Sequence, residues 1–460
     1  MSIDWDSLVK TYDVRGLVGT ALTTEIVTAL AAGFVDELGA AGQDVVVGHD
    51  MRDSSPEFAD AFAVGARARG ANVVSIGLCS TDESYFASGL FNAPAAMFTA
   101  SHNPAAYNGI KFSRAGARGI SLDTGLAAIR DRAIAYLETG IPEVAQPGTY
   151  RELHVLADYA GYLRKLVDLS GIRPLRVVVD AGNGMGGMTV PAVLGTGTDL
   201  HQLPLEIIPM YFELDGTFPN HEANPIEPEN LKDLQAEVKK KKADIGLAFD
   251  GDADRCFLVD EKGDLVNPSA LTALIATREL SKYPASTIIY NLISSKAVRE
   301  VVEENGGTAV RSRVGHSYIK KLMAETGAVF GGEHSGHFYF RDFWRADSGM
   351  LAALHAIAAL GENEVPLSQL LAPFNRYFSS GEINSKVNDA VASTMKIEEQ
   401  YGAMHGVELD RLDGLTVTGE TWWFNLRASN TEPLLRLNVE ATTAKEMAAL
   451  RDAVLNTIRA

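Results

Sequence analysis

Cysteine is nearly missing from this chain of 460 residues, with only Cys79 and Cys256 present. Two thiols frame no disulfide-stapled fold. Long apolar runs are also lacking. The longest strongly apolar stretch, Met350–Leu360, is interrupted by His355 and falls well short of the ~20 residues a helix needs to cross a bilayer. The opening segment, Met1–Lys10, has neither a basic flank nor an apolar centre, so it does not read as a secretory signal. Positive charge is in deficit, with a formal net charge of −18. That excludes a general nucleic-acid or anionic-membrane binder, which needs a positive face. It does not exclude an anionic substrate, because a few Arg and Lys residues can build a local positive site. Low-complexity segments and long linkers are absent too. The expectation is a cytoplasmic protein with neither nucleic acid nor membrane as partner.

What is present is ordinary globular composition, 46% hydrophobic and 22% charged. The length exceeds the ~250–300 residues at which single cores stop growing, so several domains are expected. Helix-period and strand-like segments alternate over the first three quarters. Thr24–Leu38 reads as a helix with Thr24 as cap. Val45–Val47 is a buried strand, and Ser55-Pro56 opens a second helix. Val73–Ile76, Arg176–Val179 and Thr287–Tyr290 are further strands, the last followed by a helix over Ser295–Glu304. Three buried strands run into polar or glycine-rich loops: Ala95–Phe98, Ile245–Phe249 and Ala328–Phe330. One α/β architecture is thus used three times, each copy presenting a different loop. The last quarter reads differently. Beyond helical Ser348–Leu360 and Leu367–Phe374, it has strands at Leu415–Thr418, Thr421–Leu426 and Leu434–Val439 and a final helix over Thr443–Arg459. The expected fold class is α/β: three similar mixed-sheet domains (1–148, 149–264, 265–376) and a smaller α+β domain with an antiparallel sheet (377–460).

Four loops carry chemistry. The sharpest is Asp250-Gly251-Asp252-Ala253-Asp254-Arg255. Three carboxylates at alternate positions repel one another, and a hard divalent ion such as Mg²⁺ relieves that repulsion through oxygen ligands. An EF-hand is the calcium alternative, and Glu261 does fall at its twelfth position. However, Arg255 stands where it needs glycine, and the flanks are strand-like. An acidic surface turn is the bland reading, disfavoured by the apolar runs on both sides. The loop sits at a strand end, where α/β proteins place their sites.

The second loop runs from Thr99 to Phe112 and contains Ser101, His102, Asn108-Gly109 and Lys111. Ser101 lies just beyond a buried strand, but a serine hydroxyl needs a base, a metal or prior phosphorylation to react. Adjacent side chains on a loop rarely meet, which counts against His102 assisting. Asn108-Gly109 is a turn signal that would fold Lys111 back toward Ser101. On spacing alone, an ordinary turn with a surface lysine is favoured. No G-x-S-x-G elbow is present to support a serine hydrolase. The third loop, Gly331–His337, offers Glu333 and Ser335 for sugar hydroxyls. A surface turn is an equal reading there, and zinc at His334 and His337 is a weaker one without nearby cysteines or a helix. In the fourth, Arg427 and Arg436 flank Ser429-Asn430-Thr431, a set that matches the oxygens of a phosphate monoester. Taken alone, it also reads as a capped turn with surface arginines.

Together with Tyr12-Asp13-Val14-Arg15-Gly16, these loops resemble, in order and separation, the α-D-phosphohexomutase family. The match covers nearly the whole chain and is nearest the bacterial phosphomannomutase/phosphoglucomutase branch. The resemblance implies four domains around a central cleft and a phosphoserine at Ser101. It implies Mg²⁺ held by Asp250, Asp252, Asp254 and a phosphoserine oxygen. Lys111 would be the general acid/base, with Arg15 and His102 helping at the reacting phosphate and nearby arginines disfavouring the charged form of Lys111. Substrate would be met by Tyr12, Arg255, His316, Glu333, Ser335 and His337, and the idle phosphate by Arg427, Ser429, Asn430, Thr431 and Arg436. The implied reaction interconverts mannose 1-phosphate and mannose 6-phosphate through a hexose 1,6-bisphosphate that also serves as activator. The implied partner is a hexose phosphate, and the chain would be a monomer or homodimer. His334 departs from the methionine usual in that branch; phosphoglucosamine mutases usually carry glutamine there. The competing functions are a dual mannose/glucose mutase, a phosphoglucosamine mutase, a metal-dependent phosphatase, and a non-catalytic sugar-phosphate or calcium binder.

Overall fold

The computed structural model describes residues 3–428 and 434–459. They divide into two compact units, Met1–Val266 with Ser335–Leu370, and Asn267–His334 with Leu371–Ala460.

In the first unit, the strands Asp44–His49, Asn72–Leu78, Ala95–Phe98 and Tyr150–Glu152 are parallel neighbours, and Tyr107–Arg114 and Val14–Leu17 extend the sheet antiparallel. Helix Thr24–Leu38 is capped by the Thr23 hydroxyl, one residue before the cap expected, and ends at Gly39 with φ +61°. Glycine takes that left-handed conformation without the Cβ clash other residues meet. The apolar face of this helix meets the helix Ser55–Ala68 and the sheet, where Phe34 stacks on Phe112 at 5.0 Å between ring centroids. A second mixed sheet orders Cys256–Asp260, Ile245–Phe249, Leu175–Asp180 and Leu205–Met210. Its strand Ile245–Phe249 is buried along its whole length, which explains its unbroken apolar sequence. The antiparallel pair Phe338–Phe340 and Ala346–Asp347 leads into helix Gly349–Gly361, capped by Ser348.

In the second unit, Thr308–Ser312, Thr287–Asn291 and Phe330–Gly332 are parallel neighbours. The last of these begins two residues later than the sequence suggests, so Gly331 and Gly332 belong to the strand. Gly332 packs against the Thr272 side chain, where a Cβ would come within 2.5 Å. The remaining sheet is antiparallel, in the order Phe378–Lys386, Leu434–Ala441, Trp422–Ala428, Leu415–Thr418 and Glu408–Asp410, covered by helices Ala390–Gly402 and Ala444–Arg459. The segment expected as one helix over Leu367–Phe374 is a short helix, Leu367–Leu370, and a separate 3₁₀ turn, Ala372–Phe374, because Pro373 cannot continue the first. Among the described residues no helix is long and apolar enough to cross a membrane. Both cysteines are buried and unpaired.

Candidate active site at the aspartate loop

Strand Ile245–Phe249 is buried along its length and delivers Asp250 to the sheet's carboxyl edge. There the backbone turns tightly: Ala253 takes φ +61° and its N–H donates to the Asp250 carbonyl. The turn brings one carboxylate oxygen each of Asp250, Asp252 and Asp254 within 4.8 Å of one another. All three residues are at most 1% exposed. Three carboxylates so close and so dry need compensating charge. Lys111 Nζ supplies part of it, 2.6 Å from Asp252 Oδ2 and 2.6 Å from Asp254 Oδ2. Arg255 supplies a second cation, with Nε 2.8 Å from Asp250 Oδ2. With Asp250 ionised, two cations against three carboxylates leave one negative charge.

Ser101 meets this loop. Its Oγ donates to Asp250 Oδ2 at 2.9 Å and lies 3.2 Å from His102 Nδ1. Adjacent side chains converge here because Ser101 adopts φ +50°, which swings its Cβ out of the extended path. The general rule that adjacent loop side chains rarely meet, which counted against His102 assisting, does not hold at this position. Burial, then Arg255 and Arg15, push the His102 imidazole down to about 2, so the ring is neutral beside Ser101. The two loops touch backbone to backbone. A Cβ on Gly251 would come within 2.5 Å of the Ser101 carbonyl, so glycine is required for this approach.

Asn108-Gly109 is not a turn. Both residues lie inside the strand Tyr107–Arg114. The Asn108 amide donates to the Ser54 and Ser55 hydroxyls, and a Cβ on Gly109 would strike the Val14 carbonyl at 2.3 Å. A buried partner and close strand packing, not reversal, explain the dipeptide. Lys111 reaches the site from the middle of that strand, opposite Met97. Its charge state is the reverse of the expectation. Burial opposes the charge, but Asp252 and Asp254 hold the ammonium well above its ordinary range. Carboxylates dominate because they are the direct contacts.

The same balance sets the carboxylates apart. Burial, opposed by Arg255 and aided by repulsion from Asp254 and Asp252, pushes Asp250 up to about 7. Asp252 is equally buried, yet Lys111 and the Thr81 hydroxyl at 2.7 Å hold it below the carboxylate range. Asp252 Oδ1 and Asp254 Oδ1 are buried without a hydrogen-bond partner. Orphaned oxygens beside residual negative charge are what a hard divalent cation takes up, so this donor set fits such a metal. The EF-hand alternative closes: the carboxylate of Glu261 is held by Ser368, and strands flank the loop.

Arg15 donates to Asn103 Oδ1 and to Asp13 Oδ2. Tyr12 lies in the bend before the strand Val14–Leu17. His337 Nδ1 is 2.9 Å from Asp347 Oδ2 and 3.9 Å from Asp254 Oδ1, so it flanks the carboxylates. Ser335 is partly buried in the same unit. His334 belongs to no metal-sized group among the described residues, which disposes of the zinc alternative.

The second unit holds the other residues. Glu333 is buried and accepts the Gly315 N–H at 3.1 Å, immediately before the helix that begins at His316. Arg427 and Arg436 are cross-strand neighbours. Both reach Glu382, at 3.5 and 3.2 Å, and each keeps a buried Nε without a partner. Ser429, Asn430 and Thr431 lie outside the described residues. Sequence reasoning missed Glu382, Thr81, Asp347 and Arg52. Only Arg52 carried a signal, its place just beyond the carboxyl end of a buried strand.

A hydroxyl against a dry carboxylate trio at a strand end, in a chain of repeated α/β sheets, fits an α/β enzyme of phosphoryl transfer. Four domain profiles described as phosphoglucomutase/phosphomannomutase match the chain: α/β/α domain I over residues 6–137, domain II over 157–263, domain III over 267–377 and the C-terminal domain over 382–457. The chain belongs to the phosphoglucomutase/phosphomannomutase family of phosphohexose mutases. It is 41% identical over 437 residues to a protein named phosphohexose mutases from Xanthomonas campestris, covering 94% of each. It is 37% identical to phosphomannomutase of Escherichia coli K12, again covering 94% of each. A crystal structure of a phosphoglucomutase/phosphomannomutase family protein from Burkholderia thailandensis matches with a TM-score of 0.88 and 32% identity, covering 100% of this chain and 98% of that one.

Proposed function

We propose that this mutase interconverts mannose 1-phosphate and mannose 6-phosphate, with Ser101 carrying the phosphoryl group in transit. The observation that carries the proposal is Ser101 Oγ at 2.9 Å from Asp250 within the carboxylate trio. The mannose preference is supported by relatives named phosphomannomutase at 37–38% identity. Glucose phosphates are the second substrate, supported by a Pseudomonas putida relative named phosphomannomutase/phosphoglucomutase, 35% identical and matched over 97% of this chain and 94% of that one.

Asp250, Asp252 and Asp254 would hold Mg²⁺, which supplies charge neutralisation at the phosphoryl oxygens. The remaining work falls to side chains. As the bond from phosphorus to a free sugar hydroxyl forms, the bond to Ser101 Oγ breaks. Lys111, held as an ammonium by Asp252 and Asp254, gives a proton to the released Ser101 oxygen and takes up the proton of the attacking sugar hydroxyl, so that no net proton is gained or lost. Arg15, Arg255 and His102 surround the reacting phosphate. The bound hexose 1,6-bisphosphate then turns end for end and returns its other phosphate to Ser101. Tyr12, His316, Glu333, Ser335 and His337 would position the sugar. Arg427, Arg436 and Ser429-Asn430-Thr431 would hold the phosphate at rest. We retain domain boundaries near 148 and 264, supported by gaps between the matched profiles, and one near 376, supported by the end of the domain III profile at 377. We also retain a cytoplasmic location, supported by two buried free thiols, and a monomer or homodimer.

A coupled assay on mannose, glucose and glucosamine 1-phosphates, with and without a chelator, tests the proposal. Mannose and glucose should turn over with Mg²⁺ and stop on its removal. Steady release of inorganic phosphate without isomer would identify a phosphatase instead.

A further inference from the structure

Arg52 is 2% exposed and lies just beyond the strand Asp44–His49. Its guanidinium donates to four backbone carbonyls of one loop. Nη2 reaches the Ser101 carbonyl at 2.8 Å and the Asn103 carbonyl at 2.7 Å. Nη1 reaches those of Pro104 at 3.0 Å and Tyr107 at 2.9 Å. The loop from Ser101 to Tyr107 therefore wraps around a single planar cation. That cation and its backbone are themselves supported by neighbours. Asp50 Oδ2 lies 3.4 Å from Nε, the Phe218 ring lies 5.1 Å from the guanidinium carbon, and a Cβ on Gly216 would come within 2.7 Å of the Arg52 Cα.

Buried carbonyls require donors, and only arginine offers five in a rigid plane. Ser101 itself is held in a left-handed backbone conformation that a residue with a Cβ adopts only when its surroundings insist. The bond from Arg52 to the Ser101 carbonyl, with that from Ser101 N–H to Thr99 Oγ1 at 2.9 Å, clamps both sides of this residue. We infer that Arg52 is a positioning residue for phosphoryl transfer: by gripping the loop backbone it aims Ser101 Oγ at the carboxylate trio. It touches no reacting atom. The inference rests on Ser101 being the phosphoryl carrier.

The test measures kcat, KM, thermal melting and Ser101 phosphate content for R52K, R52A, F218L and S101A in the full-length enzyme with Mg²⁺. Lysine keeps the charge but cannot span four carbonyls. In R52K, kcat per folded molecule should fall about 100-fold, the order expected for a misplaced reacting group, while KM stays within about threefold. Millimolar guanidinium should restore part of the lost rate in R52A and none in S101A. F218L keeps the arginine but removes its ring support, and it should lower kcat by a factor of about three to ten. F218L keeps the question answerable if R52K and R52A fold poorly. R52K with kcat within threefold of the parent, loss that only tracks the folded fraction, or an F218L enzyme at full rate would overturn the role of Arg52. Full activity in S101A would instead overturn the carrier assignment beneath it.

Discussion

The carboxylate trio of the first unit and the arginine pair of the second both manage concentrated charge, and they do so in opposite ways. Asp250, Asp252 and Asp254 are buried and already compensated from within by Lys111 and Arg255 at 2.6–2.8 Å. Arg427 and Arg436 are more open, with side chains 15% and 35% exposed, and share one carboxylate, Glu382, at 3.5 and 3.2 Å. The first arrangement is assembled before any ligand arrives. In the second, a weakly held carboxylate occupies donors that a phosphate would use better, since phosphate offers more oxygens and more charge. The difference teaches where binding energy goes: catalytic geometry is fixed by burial, whereas phosphate capture works by exchange.

Ser101→Ala should widen the contrast most. We expect kcat to fall by several orders of magnitude, about 10³-fold or more, with melting temperature unchanged, because a loop hydroxyl packs little apolar surface. Steady-state kinetics with a thermal melt checks both halves. Next, Thr81→Val removes the hydroxyl that orients Asp252. Its half-saturating Mg²⁺ concentration should rise by about 10–100-fold, the usual cost of losing a partner behind a metal ligand. A metal titration in which Thr81→Val matches the parent would show that the aspartate loop does not depend on this support.

The arginine side makes a signed prediction. Arg427→Ala should raise KM for hexose phosphate by about tenfold, the loss of one charge-assisted bond to phosphate. Glu382→Gln should lower KM by about two- to fivefold, because the competing carboxylate is gone. A higher KM in Glu382→Gln would mean that Glu382 orients the arginines and does not merely occupy them. The smallest effect concerns Glu83, a buried carboxylate near the aspartate loop, one of whose oxygens has no partner. Burial, then repulsion from Asp82, push it up to about 8 from an ordinary 4.5. Between those values the folded chain keeps a proton that the unfolded chain has released. Stability from this group is thus lost as pH rises through that window. Glu83→Gln should melt about 2–4 °C above the parent at about pH 8.5 and alongside it at about pH 5. Parallel melting curves for the two proteins across pH would contradict the shift.

Much of this was legible in the sequence where one residue type had one job. Unbroken apolar strands such as Ile245–Phe249 marked the sheets, and alternating aspartates at their ends marked the carboxylate trio. Signals with two physical causes misled. Asn108-Gly109 has turn chemistry, yet a buried amide partner and a crowded strand neighbour explain both residues. His102 meets Ser101 only because of one positive φ, which no side-chain pattern announces. Arg52 and Glu382 act on groups distant in sequence, so their partners appear only once the chain is folded.

The most direct test of the central claim is intact and peptide mass of the enzyme after treatment with hexose 1,6-bisphosphate and Mg²⁺, then after a chase with hexose monophosphate under chelation and again with Mg²⁺ restored. The account predicts one phosphate on Ser101, retained under chelation and discharged to the sugar only when Mg²⁺ returns. A protein that turns over while Ser101 never carries phosphate, or that carries it on another residue, would contradict it.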